Sequence, residues 1–176
     1  MATSIPPPPD AGATAPPLPQ QQRLETLAEQ VAAIDRLVGL ARLSIRVFDG
    51  DLAQTGWNSV ARAERLAAFL RGSRNARLEI IVHDTRWLEG KAPRLTTLLR
   101  QFSHAITIYR TGADARAAAD PLLLVDGRHY LHRLHLDHPR AVLGIDAPQD
   151  ARPLITRFEE IWATGEPGLT ATTLGL

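Results

Sequence analysis

The chain has no cysteine, which excludes disulfide bonds, thiolate metal sites and a cysteine nucleophile. It also lacks an apolar run of about 20 residues, the length that a membrane-spanning helix needs. No basic residue precedes Arg23, and residues 5–9 are an isoleucine followed by four prolines, so the basic and apolar regions of a signal peptide are missing. These absences predict a soluble, cytoplasmic protein without a membrane contact.

An excess of charge of one sign is missing as well. Lys and Arg number 20 and Asp and Glu number 19, so the formal net charge is +1 and no global field attracts nucleic acid. Aromatic residues make up 5% of the chain and do not interleave with basic ones, as they do in proteins that bind single strands. We therefore expect no nucleic-acid partner. Nucleotide-binding glycine motifs and the GxSxG elbow are also absent, and no cofactor is predicted.

With 176 residues and 44% apolar content, the chain is long enough for one buried core and too short for two ordinary domains. Residues 1–22 are rich in proline and glutamine and have too little apolar surface to offset their ordering entropy, which predicts a disordered tail. A PxxP at Pro16 to Pro19 makes this tail either a ligand for a proline-binding domain or a spacer. The domain is predicted at residues 23–165, and residues 166–176 are predicted to be a flexible tail.

A helical pattern opens the predicted domain, over Arg23 to Ala41. Its apolar residues are spaced three and four apart and form one seam: Leu24, Leu27, Val31, Ile34, Val38 and Ala41. The same spacing suits a coiled-coil heptad, although the seam is short for one that stands alone. The seam is therefore predicted to pack against the domain's own sheet, with a dimer contact as the alternative.

Strand and helix patterns alternate along the rest of the chain. Strands are predicted at residues 43–48, 78–82, 106–109, 122–125, from 129 onward, and at 140–145; further helices are predicted at residues 60–72, 93–102 and 150–164. The run at residues 78–82 is apolar on both faces apart from Glu79, as in a parallel strand covered on both sides. This order predicts an α/β fold with a mixed, mainly parallel sheet covered by helices.

The stretch from Ala119 to Arg133 combines a buried strand, an Asp126-Gly127 turn and a returning strand. It resembles the catalytic hairpin of the phospholipase D superfamily, whose motif HxKxxxxD precedes GSxxN. When Asp126 takes the motif aspartate, Ala119 falls on the histidine and Pro121 on the lysine. The GSxxN positions fall on Arg133, Leu134 and Asp137, so that half of the motif is absent too. The ending at residues 157–162, RFEEIW, is similar to the helix that closes many domains of this superfamily.

The resemblance implies a phospholipase D-like half-domain whose reaction centre is erased. In that superfamily the histidine attacks phosphorus and the lysine holds a phosphate oxygen, and neither alanine nor proline can replace them. The resemblance therefore implies a non-catalytic module that binds a second copy, another protein or an anionic ligand. Half-domains of this superfamily build their site by pairing with a second copy, so the resemblance implies a homodimer as one possible partner. The alternative is a phosphodiesterase or nuclease with His83 or His129 as nucleophile.

Four polar residues follow the first two predicted strands: Asp49, Asp51, His83 and Asp84. The carboxyl ends of strands in open α/β sheets are where ligands bind, so this pocket is a candidate acid–base or cation site. Asp and Gly are also ordinary turn residues, and Asp84 can cap the next loop. Both interpretations stay open from the sequence.

Three cations are candidates for a vestigial anion pocket, namely Arg133, Arg128 and Lys91, with Arg133 on the returning strand as its centre. Four histidines recur at every third position from residue 129 to residue 138 and suggest a metal site at first. Side chains alternate along a strand, so His129 and His135 face away from His132. No metal site is predicted.

Overall fold

The structure is a computed structural model that describes residues 20–172. The Pro16 to Pro19 motif and most of the predicted N-terminal tail lie outside the described residues, as do residues 173–176. The strands are β1 (Gln20–Leu24), β2 (Ser44–Asp49), β3 (Arg77–Val82), β4 (Ile106–Arg110), β5 (Leu122–Val125), β6 (His129–His135), β7 (His138–Ile145) and β8 (Glu166–Leu169). The helices are α1 (Leu27–Leu40), α2 (Val60–Gly72), α3 (Arg86–Lys91), α4 (Pro93–Gln101) and α5 (Pro148–Ala163).

All eight strands form one sheet in the order β1-β7-β6-β5-β2-β3-β4-β8. The α/β class is confirmed, but the sheet is mixed and mostly antiparallel, so the predicted mainly parallel sheet is wrong. Of the seven neighbouring pairs only β2–β3 and β3–β4 are parallel. The reason is the run β5-β6-β7, whose short turns permit only antiparallel pairing, together with an antiparallel strand at each edge of the sheet.

Both edge strands include residues that were predicted to lie outside the structured domain. β1 pairs with β7 from Gln20 to Leu24, although residues 20–22 were assigned to the tail and residue 23 to the helix. β8 pairs with β4 inside the segment predicted to be a flexible C-terminal tail. These strands carry few apolar side chains, and they are held by backbone hydrogen bonds that a hydrophobic pattern does not report. The predicted boundaries at residues 23 and 165 are therefore too narrow.

Helix α1 packs on the sheet, as the first of the two alternatives predicted. It begins later than predicted because Thr26 accepts from the backbone of Glu29 while the Glu29 carboxylate accepts from the Thr26 backbone, a capping box that fixes the first turn. The buried face is shifted from the predicted seam and consists of Gln30, Ala33, Ile34, Leu37 and Val38. Gln30 is the one polar side chain on this otherwise apolar buried face.

The core lies on both faces of the sheet. Val47 lies on the face of the sheet that α1, α2 and α4 cover. Phe48 and Ile81 lie on the opposite face, where they pack with Phe158 of α5. Because β5 is antiparallel to β2 and pairs Leu122 with Phe48, the start of β5 meets the carboxyl ends of β2 and β3 at one edge. None of the helices between residues 20 and 172 has the length and hydropathy needed to cross a membrane.

Candidate functional site

Asp126, the residue aligned with the motif aspartate, fastens the hairpin turn and lies at the opposite end of β2 from Asp49. Asp126 and Gly127 have φ values of 51° and 66°, the left-handed conformation that a two-residue hairpin turn requires. The Asp126 carboxylate accepts from the backbone N–H groups of Arg42, Leu43 and Ser44, each at 2.8 Å. These bonds fasten the turn to the start of β2, at the opposite end of the strand from Asp49.

The positions of the motif histidine and lysine lie on the segment that enters β5. Here the chain is covered by the turn between β6 and β7, because the Leu136 N–H donates to the Ala119 carbonyl at 2.7 Å. The Arg133 N–H donates to the Pro121 carbonyl at 2.9 Å. The turn and the end of β6 therefore occupy the space beside the two substituted motif positions.

Pro121 lines a small cavity at this edge, of about 20 Å³. A cavity of this size holds about one water molecule. Its polar lining consists of Gln30, Asp49, Thr55 and Arg133, and its apolar lining includes Ile34, Val47, Trp57, Pro121, Leu123 and Leu131. We refer to it as the strand-end cavity. It occupies the place where the resemblance puts the lysine of the superfamily.

Asp49 is the last residue of β2 and the one partly exposed residue in the lining of the strand-end cavity. Its Oδ1 accepts from the Gly50 N–H at 2.6 Å. Removal from water raises the pKa of Asp49 from its ordinary value to about 6, and the Gly50 N–H and the charge of Arg133 offset part of that rise. A carboxyl group with a pKa near 6 changes its charge close to neutral pH.

Arg133, the predicted centre of an anion site, is buried and bonded to the protein itself. Its Nε donates to the His138 carbonyl at 2.7 Å and its Nη2 to the Leu136 carbonyl at 2.6 Å. Nη1 and Nη2 also donate to the Gln54 side-chain oxygen at 3.3 and 3.2 Å. These bonds use most of the five guanidinium donors, so Arg133 supplies its charge to the site but few free N–H groups.

The other two predicted cations do not join Arg133 in a common pocket within one chain. Arg128 precedes β6 and pairs with the Asp146 carboxylate at 2.9 Å. It lies five residues from Arg133 along an extended strand, a separation of about 16 Å. Lys91 is exposed in the last turn of α3. The length of an extended strand, which rises by about 3.3 Å per residue, explains the separation of the two arginines.

Asp51 and Asp84 serve as turn residues. Asp51 Oδ1 accepts from the Ala53 N–H at 2.9 Å. Asp84 Oδ1 accepts from the Arg86 N–H at 2.9 Å, and its Oδ2 accepts from the Arg86 guanidinium at 2.8 Å. The hydrogen bonds from the Arg86 side chain, followed by the one from its backbone, lower the pKa of Asp84 to about 2. Of the four predicted pocket residues, only Asp49 lines the strand-end cavity.

His83 has both ring nitrogens engaged. Nε2 lies 2.7 Å from the Ala118 carbonyl and Nδ1 lies 2.7 Å from the Thr111 hydroxyl. Since a carbonyl can only accept, Nε2 carries a proton, and in the neutral ring Nδ1 accepts from the Thr111 hydroxyl. The ring therefore has no free lone pair with which to attack phosphorus.

His129 and His132 also make local contacts. His129 Nδ1 accepts from the Asp146 N–H at 3.0 Å, and burial lowers the pKa of His129. His132 lies on the other face, with Nε2 at 3.7 Å from the Asp120 carboxylate, which also binds Arg157. Within residues 20–172, no three His, Asp or Glu side chains are grouped so that they could hold a metal ion.

Two cavity residues escaped the sequence prediction, Gln30 and Thr55. Gln30 is buried and its amide nitrogen donates to the Pro139 carbonyl. The signal for it was a polar residue at helical spacing from Ile34 and Leu37, on a face that is otherwise apolar. Thr55 has no such signal, because the loop after β2 has no periodicity. Its hydroxyl is buried without a hydrogen-bond partner.

Arg62, a buried arginine on α2, holds the loop that carries Thr55. Its Nε donates to Asp35 at 2.7 Å, its Nη1 to the Thr55 carbonyl at 3.1 Å and its Nη2 to the Val31 carbonyl at 3.2 Å. The guanidinium also lies 5.2 Å from the centre of the Trp57 ring, a cation–π distance. The loop is thereby fixed to α1, which positions Thr55 at the cavity.

Solved structures with the same fold include members of the phospholipase D family. The domain superposes on Nuc of Salmonella typhimurium, a phospholipase D family member, with a TM-score of 0.60 and 15% identity, over 86% of this chain and 99% of that one. For phosphatidylserine synthase of Haemophilus influenzae Rd KW20 the TM-score is 0.56 and the identity 15%, over 92% of this chain and 43% of that one. At these identities the likeness establishes the fold.

A further similar structure is TrmBL2, an archaeal chromatin protein described as having a novel mode of DNA binding. Its TM-score is 0.64 at 10% identity, and the match covers 89% of this chain and 56% of that one, so the domain spans little more than half of TrmBL2. No curated protein matches the chain in sequence. The family model described as Domain of unknown function (DUF7931) matches residues 26–172, and the chain therefore belongs to that family.

Proposed function

We propose that this domain is a non-catalytic phospholipase D-like module that acts by binding, with the strand-end cavity as the position of its ligand. The observation that carries the proposal is the cavity itself. Pro121 lines it at the motif-lysine position, Ala119 stands at the motif-histidine position, and the space holds about one heavy atom. A phosphorus atom with its oxygens does not fit in such a space.

Hydrolysis of a phosphodiester needs a nucleophile and groups that stabilise the transition state. Thr55 supplies the one hydroxyl in the polar lining of the cavity, and the donors of Arg133 are directed mainly to protein carbonyls. The alternative of a phosphodiesterase or nuclease with His83 or His129 as nucleophile has no favourable geometry. His83 is bonded at both nitrogens, and His129 lies at the hairpin end of the sheet, away from the cavity.

The ligand class in this proposal is an anion or an acidic group of a partner, because Arg133 keeps a positive charge at the cavity. A second copy of the chain belongs to the proposal as well. The support for it is the match to nearly the whole of Nuc, which makes this chain a single unit of the fold. Light scattering after size-exclusion chromatography measures the mass in solution, and a monomer at all concentrations would remove self-association from the proposal.

The test of the non-catalytic proposal is an assay with lipid, nucleic-acid and chromogenic phosphodiester substrates. We expect no turnover from the purified protein. The variants His83→Ala and His129→Ala are assayed beside it, so that a trace contaminant can be recognised. Turnover that copurifies with the protein and disappears in either variant would favour the alternative.

A further inference from the structure

The lining of the strand-end cavity contains a polar side chain that the protein itself does not pair. Thr55 is a lining residue, and its buried hydroxyl has no hydrogen-bond partner among the protein groups of residues 20–172. A buried polar atom that is left unpaired costs about 1–3 kcal/mol. Arg62 fixes the loop that carries Thr55, so Thr55 stays in the lining of the cavity, where an oxygen atom from outside the protein can accept from its hydroxyl.

The charges at the cavity depend on one proton. The guanidinium of Arg133 is a cation, whereas Asp49 is either an anion or a neutral carboxyl group. When Asp49 is ionised, its charge opposes that of Arg133, and an anion in the cavity would face a carboxylate. When Asp49 is protonated, Arg133 is unopposed, and the carboxyl O–H and the Thr55 O–H are both available as donors.

We propose that the strand-end cavity is a proton-gated anion site, which admits one oxygen of an oxyanion when Asp49 is protonated and rejects it when Asp49 is ionised. The inference rests on the proposed function and adds to it the ligand class and its regulation. The cavity holds one oxygen, and the rest of the anion lies outside, where Asp49 is partly exposed.

The neighbouring side chains identify Asp49 as the group of the cavity that gains or loses the proton. Two charged side chains change the pKa of Asp49. Arg133 of β6 lowers it, and Asp51 of the loop after β2 raises it. Helix α1 contributes the neutral side chain of Gln30, and β5 and the segment before it contribute Leu122 and Pro121. His83, which follows the neighbouring β3, contacts Asp49 through its backbone N–H, which donates to the Asp49 carbonyl at 3.3 Å.

The expected change in anion affinity follows from the fraction of Asp49 that is protonated at each pH. With the pKa of Asp49 near 6, about 90% of the group is protonated at pH 5 and about 3% at pH 7.5. If only the protonated form binds, the apparent Kd varies inversely with these fractions, and anion affinity falls by about 30-fold between pH 5 and pH 7.5. Sulfate is the suitable probe, because its own charge does not change over this range.

The experiment is a sodium sulfate titration of the full chain at both pH values, followed by amide chemical shifts, with sodium chloride at equal ionic strength as the reference. We expect shifts at the backbone of Gly50 and Thr55 and a Kd at pH 5 that is at least ten-fold lower than at pH 7.5. In Asp49→Asn, the Gly50 N–H keeps the amide oxygen on its side and leaves the amide N–H₂ toward the cavity. This variant should bind sulfate about equally at both pH values.

Two further variants complete the design. Thr55→Val removes the unpaired donor at constant shape and should weaken sulfate binding at pH 5 by ten-fold or more. Asp51→Asn removes a neighbouring carboxylate that does not line the cavity, and it should keep most of the pH dependence. The dispersion of the amide spectrum shows for each variant that the fold is intact.

Several results would overturn the gate. They are a sulfate Kd that is equal at both pH values in the unaltered protein, a pH dependence that persists in Asp49→Asn, and shifts that do not exceed those caused by chloride. Equal binding at both pH values would leave the binding module standing without its gate. Phosphodiester turnover would instead contradict the proposed function, whatever the sulfate titration shows.

Discussion

The guanidinium of Arg133 donates to the carbonyl of Leu136 at 2.6 Å and thereby holds the β6–β7 turn over the start of β5. The same side chain reaches His138 and Gln54, so that one buried cation joins the turn to the loop after β2. At the sequence level Arg133 was a candidate for binding an external anion. In the structure its donors serve the closure of the site.

We predict that Arg133→Ala destabilises the domain by at least about 3 kcal/mol, because the variant removes a buried, packed side chain and its charge-assisted hydrogen bonds to the Leu136 and His138 carbonyls. The free energy of unfolding from urea denaturation measures the loss. Arg128→Ala is the matched control, since Arg128 is exposed and its pair with Asp146 contributes at most about 1 kcal/mol. Equal losses in the two variants would contradict a closing role for Arg133.

A second prediction concerns Asp126, the residue aligned with the motif aspartate. Asp126→Ala should cost at least about 2 kcal/mol, because three backbone N–H groups at the start of β2 lose a charged acceptor. The melting temperature provides the measurement. Asp137→Ala, at an exposed position on the other turn of the same strand, should leave the melting temperature nearly unchanged.

The docking of α1 on the sheet gives a third prediction. Ile34 is 4% exposed, so Ile34→Asp places a charge in an apolar environment and should cost roughly 3 kcal/mol or more. Ala32→Asp, on the exposed side of the same helix, is the control and should have little effect. An unchanged unfolding midpoint in Ile34→Asp would rule out the intramolecular packing of this helix.

Asp49 makes stability depend on pH in a direction that is unusual for a carboxylate. Its pKa is near 6 in the folded state, above its ordinary value of 3.8, so between these values the folded state binds more protons than the unfolded state. Stability contributed by Asp49 therefore falls as the pH rises from about 4 to about 6. The difference in unfolding free energy between the unaltered protein and Asp49→Asn, measured at pH 4, 5, 6 and 7, isolates this dependence from the other carboxylates. A flat difference would show that Asp49 is not desolvated.

Most of the local elements follow from the sequence pattern alone. The Asp-Gly pair between two apolar runs specified the hairpin, because a two-residue turn with positive φ needs such residues. At the starts of α2 and α4, close to where the pattern placed them, the Ser59 hydroxyl accepts from the Arg62 N–H and Pro93 occupies the first turn. The substitutions at Ala119 and Pro121 were likewise readable from the motif spacing alone.

Tertiary structure decided which strands are neighbours and which polar groups meet. Periodicity reports the face that a segment buries, but it does not report the strand that pairs with it, and so β1 and β8 and the mostly antiparallel sheet were missed. The strand-end cavity brings together Gln30, Asp49, Thr55 and Arg133. The first and the last of these residues are 103 positions apart in the sequence. Whether Arg133 faces a ligand or three acceptors of its own chain depends on where the β6–β7 turn folds, because hydrogen bonds are settled by distance in space rather than by position in the sequence.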